Sequence, residues 1–175
     1  CAENLAPYRG LIRPDDFARI VAGKLDSGAW RAVDAWLASP TAFLILRGGK
    51  GTGKTVATLA AIGRLGGNLL TSLEMARAWK QEHAEAQQLR ASAIGSRLLV
   101  IDDLGTEPDR ASGAVAFQEL VNRRQGGVRT IITTNLSREQ MTTAYDERTI
   151  DRLRHGGVMV SLRGESMRGG GHAGK

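Results

Sequence analysis

Gly48-Gly49-Lys50-Gly51-Thr52-Gly53-Lys54-Thr55 has the residue types and spacing of a phosphate-holding loop. It fits the pattern G-x-x-x-x-G-K-[ST], with the apolar run Phe43-Leu44-Ile45-Leu46 leading into it. Glycines let the backbone fold back tightly and turn its N–H groups inward, where they can hold phosphate oxygens. Lys54 can reach terminal phosphates, and the Thr55 hydroxyl can sit on Mg²⁺. Val56, Leu59, Ala60 and Ile62 continue at helical spacing, and the positive end of that helix adds to the pull on anions.

Asp102 and Asp103 close another apolar run, Leu98–Ile101. A strand ending in two acids brings one carboxylate to hold Mg²⁺ beside a triphosphate and a second to polarise an attacking water. The same pair could simply cap a turn. Asn135 follows the β-branched run Thr130–Thr134, where an amide can contact a γ-phosphate, orient the water, or serve as a turn residue. Arg148, Arg152 and Arg154 lie on one predicted helix, with Arg148 and Arg152 on a shared face. They could neutralise transition-state charge at a neighbouring subunit's nucleotide, or form a solvated face paired with Asp146, Glu147 or Asp151. His83, His155 and His172 are scattered and lack metal-ligand spacing. Trp30, Trp36 and Trp79 read as packing residues.

These residues need a scaffold that brings distant loops together. Helices are predicted from Pro14-Asp15-Asp16, with Phe17, Ile20 and Val21 periodic, and across Trp30, Val33, Trp36 and Leu37, ending at Pro40. Strands are predicted at Ala42–Leu46, Leu69–Ser72, Leu98–Ile101, Thr130–Thr134 and Val158–Leu162. Between them the pattern gives a helix to about Leu65, a turn at Gly66-Gly67-Asn68, one long polar helix over Glu74–Leu89 and a loop over Ala91–Ser96. Further helices follow over Ala114–Arg124, from the capping-box spacing Ser137–Gln140, and over Glu147–Arg154. Apolar runs such as Leu98–Ile101 mark strands buried on both faces of a parallel sheet. Five strands alternating with helices predict a three-layer α/β fold whose strand-to-helix loops gather at the carboxyl edge. The expected division is 1–40 as lead-in helices, 41–168 as the core, and 169–175 as a disordered Gly-rich tail.

The chain has 175 residues, 42% hydrophobic and 24% charged, which is ordinary globular composition for one domain. Its apolar runs are too short to span a bilayer, and no signal peptide is visible. It lacks an initiator Met, which fits a piece trimmed from something longer. One Cys excludes an internal disulfide and fits a reducing compartment. The net charge of +6, carried mostly by Arg, suits a polyanionic partner.

Leu99–Glu107, then Phe117–Arg124, Thr130–Ser137, Glu147–Leu153 and Gly164–Arg168 follow one another in an order that resembles the ATPase domain of the DnaC/DnaI-type replicative helicase loaders and their IstB relatives, within the AAA+ superfamily. The resemblance covers about residues 8–168. It implies an AAA+ P-loop NTPase of the ASCE type that uses ATP/ADP and Mg²⁺ in the cytoplasm. Gly48, Gly49, Lys50, Gly51, Thr52, Gly53, Lys54 and Thr55 become Walker A, with nucleotide contacts running through Val56. Asp102 becomes the magnesium-side acid with Thr55, and Asp103 the water-polarising acid. Asn135 becomes sensor 1. Arg152 becomes the arginine finger acting across a subunit boundary, with Arg148 as the second candidate, and Arg168 is expected to reach a nucleotide or close the end of the domain. The implied partners are a replicative DNA helicase, single-stranded DNA and further copies of the chain, with no membrane.

Two departures qualify the resemblance. Many AAA+ proteins have Glu where Asp103 stands, and the shorter acid points to slow hydrolysis. Only about forty residues precede the first strand, so the helicase-gripping region is expected to be absent or reduced, and a helical lid to be missing. The alternatives are an IstB-like transposition helper with a transposase partner, a nucleotide-gated adaptor with negligible hydrolysis, and a small-molecule kinase, in which Asn135 and Arg152 have no obvious place.

Overall fold

A computed structural model describes residues 2–163. Cys1, His172, the Gly164–Arg168 segment with Arg168, and the tail 169–175 lie outside the described residues.

The N-terminal segment forms α1 (Ala2–Leu5), a 3-10 helix (Ala6–Leu11), α2 (Pro14–Val21) and α3 (Gly28–Leu37). Then come β1 (Phe43–Gly48), α4 (Lys54–Leu65), β2 (Asn68–Thr71), α5 (Ser72–Lys80), α6 (Ala84–Gly95) and β3 (Leu98–Leu104). They are followed by α7 (Arg110–Arg123), β4 (Arg129–Thr134), α8 (Arg138–Ala144), α9 (Glu147–Gly156) and β5 (Gly157–Leu162). The strands make one parallel sheet in the order β2-β3-β4-β1-β5.

Strand alternation sorts the core into two layers. Leu44, Leu46, Leu98, Val100 and Ile131 face the layer of Leu5, Ile20, Val33, Trp36, Leu59 and Ile62. Phe43, Ile45, Leu99, Ile101 and Ile132 face Met75, Phe117, Leu120, Ile150 and Leu153. Leu98–Ile101 is fully buried, as a double-faced strand requires. The three-layer parallel α/β expectation is met. Trp36 belongs to the core, and Trp30 and Trp79 pack against it.

Residues of the first forty are tied to α4 and to the sheet. Asn4 Nδ2 donates to Gly63 O at 3.1 Å, and the Tyr8 hydroxyl accepts from the Leu69 N–H at 3.1 Å. Arg129, at the start of β4, donates to Trp36 O and Ser39 O at the end of α3 (2.9 and 2.7 Å) and stacks on the Trp36 ring.

Several boundaries move. The long helix Glu74–Leu89 is two helices, because the backbone turns extended at Gln81 and at His83, whose Nδ1 accepts from Ala86 N–H and caps α6. Ala91–Ser96, expected as a loop, is helical through Gly95, since Ala86 and Ala93 give α6 a buried stripe too small for apolar periodicity to reveal. Ser72 starts α5 instead of ending β2, because Thr71 and Glu74 form a capping box there. α7 begins at Arg110, capped by the Asp109 side chain. The Ser137–Gln140 capping box is present as expected.

Candidate functional site

The order of the sheet puts the carboxyl ends of β1, β4 and β3 side by side, so three loops far apart in sequence meet at one rim. Gly51 and Gly53 take positive φ (83° and 82°), which lets the loop after β1 wrap back before α4 starts at Lys54. Thr52 Oγ1 braces the loop by donating to Gly49 O at 3.0 Å.

Lys54 is 6% exposed. Its Nζ donates to Gly48 O (2.7 Å), Gly49 O (3.0 Å) and Asn135 Oδ1 (2.9 Å), so the ammonium sits inside the loop and joins it to the end of β4. Burial pulls its pKa down from the ordinary lysine value, opposed by the charges of Asp103 and Asp102.

Asp102 is also 6% exposed. Thr55 Oγ1 donates to its Oδ2 at 3.0 Å, and Thr133 Oγ1 donates to its Oδ1 at 2.5 Å. Burial pushes this carboxyl above its ordinary value, and the charge of Asp103 adds to the rise. The hydroxyls of Thr133 and Thr55 and the charge of Lys54 oppose it. Asp103 has φ 55°, at a register shift between Ile101 and Leu104, and its side chain is exposed. Its N–H donates to Thr133 Oγ1 (2.9 Å), and its carbonyl accepts from Ser72 Oγ (2.9 Å) and Thr106 Oγ1 (2.9 Å).

These groups line a cleft of about 920 Å³ that also takes in Leu11, Ile12, Arg13, Asp16, Leu25 and Leu69. The expected residues Lys50 to Val56, Asp102, Asp103 and Asn135 are therefore together. Gly48 and Gly49 meet them through the Lys54 ammonium. Arg148 and Arg152 lie elsewhere, on α9, where Arg152 donates to Asn122 Oδ1 of α7. Arg154 pairs with Asp151 (3.1 Å), and Asp146 caps α9 through Thr149, so part of the solvated-face reading is present.

Sequence reading missed two groups. Thr133 was visible only as a strand residue, although its position two before Asn135 puts it beside the acids. The lead-in residues Leu11, Ile12, Arg13 and Asp16 carry no motif, and only the folding of the first forty residues over the rim brings them in.

The site suits a magnesium nucleotide. A hydroxyl and a carboxylate at 3.0 Å are hard oxygen donors, and Mg²⁺ commonly takes one or two protein ligands and completes its shell with water and phosphate oxygens. Among the described residues no three His, Cys, Asp or Glu cluster to form a cage for a softer metal.

Fold and site together define an α/β P-loop NTPase. Residues 32–172 match the model of the IstB-like ATP binding protein family, and the chain belongs to that family. It is 36% identical over 73 residues to the uncharacterized protein YdaV of Escherichia coli (strain K12), a stretch that is 41% of this chain and 29% of that protein. Among solved structures, the DnaC helicase loader superposes with a TM-score of 0.63 at 21% identity, covering 79% of this chain and 92% of that one. DnaI gives 0.60 at 20%, covering 81% and 85%. The replication initiator DnaA bound to AMPPCP and single-stranded DNA gives 0.62 at 22%, covering 78% and 46%. At these identities the structures establish the shared fold. Among the described residues, no helix is long and apolar enough to cross a membrane.

Proposed function

We propose that this chain is a Mg²⁺-dependent AAA+ ATPase of the helicase-loader type, which binds ATP between adjacent copies and acts on single-stranded DNA with a replicative helicase. The observation that carries the ATPase part is the convergence of Lys54, Thr55, Asp102 and Asn135 on one rim, joined by hydrogen bonds of 2.9 to 3.3 Å.

In this reading the loop N–H groups and the N-terminus of α4 bind the β- and γ-phosphates, and Lys54 turns from the Gly48 and Gly49 carbonyls onto them. Leu11, Ile12, Leu25, Val56 and Leu69 supply the apolar wall for the base. Thr55 and Asp102 would hold Mg²⁺, which when bound neutralises charge on the phosphate oxygens. Asp103, exposed at the open side of the rim, polarises the attacking water, and Asn135 orients it against the γ-phosphate. The water oxygen bonds to γ-phosphorus as the bond to the β–γ bridging oxygen breaks, and ADP and phosphate leave.

A transposition-helper reading is favoured by the family match over residues 32–172 and shares every step above. Titration calorimetry with ATP and Mg²⁺ tests the common core. Lys54→Ala should weaken binding by about a hundredfold, the loss expected for a charge-assisted contact to phosphate left unmade. Equal affinity in the variant would refute the site. Capture with a purified replicative helicase against a purified transposase, each with single-stranded DNA and ATP, then separates the two readings.

A further inference from the structure

Thr133 is fully buried, and its hydroxyl stands between the two acids. It gives its one proton to Asp102 Oδ1 at 2.5 Å and accepts the Asp103 N–H at 2.9 Å. The second bond matters because the β3–β4 ladder slips there. Ile101 pairs with Ile132, and the next pair is Leu104 with Thr134, so two residues of β3 occupy the space of one on β4. At such a bulge the extra residue loses its ladder partner. Here the Thr133 side chain takes the N–H that the ladder no longer serves.

We infer that Thr133 is the positioning residue of the acid pair, with one hydroxyl fixing the rotamer of Asp102 and the bulge that presents Asp103. It is fully buried and acts only through its two neighbours. The Asp102 bond occupies Oδ1 and turns Oδ2 toward Thr55, so the carboxylate keeps its other oxygen on the metal side. The Asp103 bond helps hold a non-glycine residue at φ 55°, in the left-handed region that few side chains other than Asn and Asp adopt. Ser72 and Thr106 hold the Asp103 carbonyl from the other side, so the peptide is gripped at both ends. The next residue, Thr134, uses its hydroxyl differently, donating to Leu104 O at 2.7 Å, away from both carboxylates. Of these two neighbours, Thr133 and not Thr134 therefore carries the acid-positioning task.

This inference rests on the nucleotide reading above, and its test separates the two. Thr133→Val keeps the shape and removes both bonds; Thr133→Ala removes them with less bulk; Thr133→Ser restores the hydroxyl. Affinity for AMPPCP is measured with and without Mg²⁺, alongside ATP turnover and the thermal unfolding midpoint. In the Val and Ala variants the Mg²⁺-free affinity should stay within about twofold of wild type, while the Mg²⁺-dependent gain and kcat each fall about tenfold to a hundredfold. That is the loss expected for two hydrogen bonds, and KM for ATP in Mg²⁺ should rise in step with the lost gain. The Ser variant should recover both. Overturning results are an unchanged Mg²⁺-dependent gain in Val and Ala, parallel loss of Mg²⁺-free affinity, failure of Ser to recover, or loss of the folded state in both Val and Ala, which would make the hydroxyl a purely structural one. Wild-type protein that binds no nucleotide at all would instead refute the nucleotide reading, and the inference with it.

Discussion

At the scale of single residues, buried polar groups do the least visible tasks. Arg124 is fully buried, and its guanidinium reaches Thr130 Oγ1 and the carbonyls of Ala93, Ile94, Ser96 and Arg129 at 2.6 to 2.9 Å. It knots the ends of α6 and α7 to the start of β4. Desolvation pulls its pKa down to about 10. In the sequence Arg124 is only the last residue of a helix before two glycines, because nothing in a linear pattern distinguishes a solvated arginine from one surrounded by carbonyls. The pair Tyr145 and Glu107 was equally hidden. The phenol donates to Glu107 Oε1 at 2.9 Å, both residues are buried, and the ring packs on Phe117 with centroids 4.8 Å apart. Burial, then the Glu107 charge, raises the Tyr145 pKa above its ordinary 10.0. The folded state therefore keeps this proton at a pH where the unfolded chain has lost it. The stabilisation is full below pH 10 and drains as pH rises through and beyond it. Tyr145→Phe should cost about 2 kcal/mol at pH 8, from a carboxylate left without its donor. Above pH 10 the gap to wild type should close by about 1.4 kcal/mol per unit. Urea titrations at pH 8 and pH 11 check this, and a constant gap would contradict it.

At the scale of elements, what was legible was what repeats. Continuous apolar runs identified β1 and β3, and a β-branched run identified β4. The glycine spacing fixed where β1 gives way to α4, and the capping box at Ser137 placed the start of α8. The strand order was not legible, because parallel strands joined by helices can be laid out several ways with the same apolar pattern. The corner between α5 and α6 was missed for a different reason. Gln81-Glu82-His83 has neither Gly nor Pro, and the turn is closed from a distance by Arg90. Its Nη1 donates to Ala78 O at 2.6 Å and Gln81 O at 2.8 Å, serving carbonyls that the end of α5 leaves open. Arg90→Ala should destabilise the protein by about 1–3 kcal/mol and speed amide exchange over 78–86. Glu82 also meets Arg90, at 3.3 Å, but its side chain is 82% exposed, so Glu82→Gln should leave stability nearly unchanged. Denaturant midpoints for the two variants check the contrast, and equal losses would mean that the ion pair closes the corner.

At the scale of the whole molecule, the placement of Arg152 makes the proposed site between copies testable. The cleft is closed by residues of the lead-in layer, Leu11, Ile12, Arg13 and Asp16, together with the rim of the sheet. Arg152 stands on α9, which packs with α7 in the opposite layer, and its guanidinium reaches Asn122 on α7. A cation on that side cannot serve the cleft of its own chain without unpacking the layer that carries it, but it can serve the cleft of a neighbour. The arginine-finger role that the family resemblance implies for Arg152 therefore predicts activity that depends on assembly. Arg152→Ala should leave nucleotide affinity of the dilute chain within about twofold of wild type, while turnover that rises with protein concentration falls by about a hundredfold or more, the range of a missing finger. Mixing sharpens the test. Lys54→Ala chains lack a working cleft but keep Arg152, and Arg152→Ala chains keep the cleft. Together they should regain turnover that neither shows alone, rising with the fraction of Lys54→Ala chains and then falling as working clefts are diluted out. If mixtures stay as inactive as their parts, or if Arg152→Ala turns over like wild type at high concentration, the finger lies on another residue, and Arg148 on the same helix is the next to substitute.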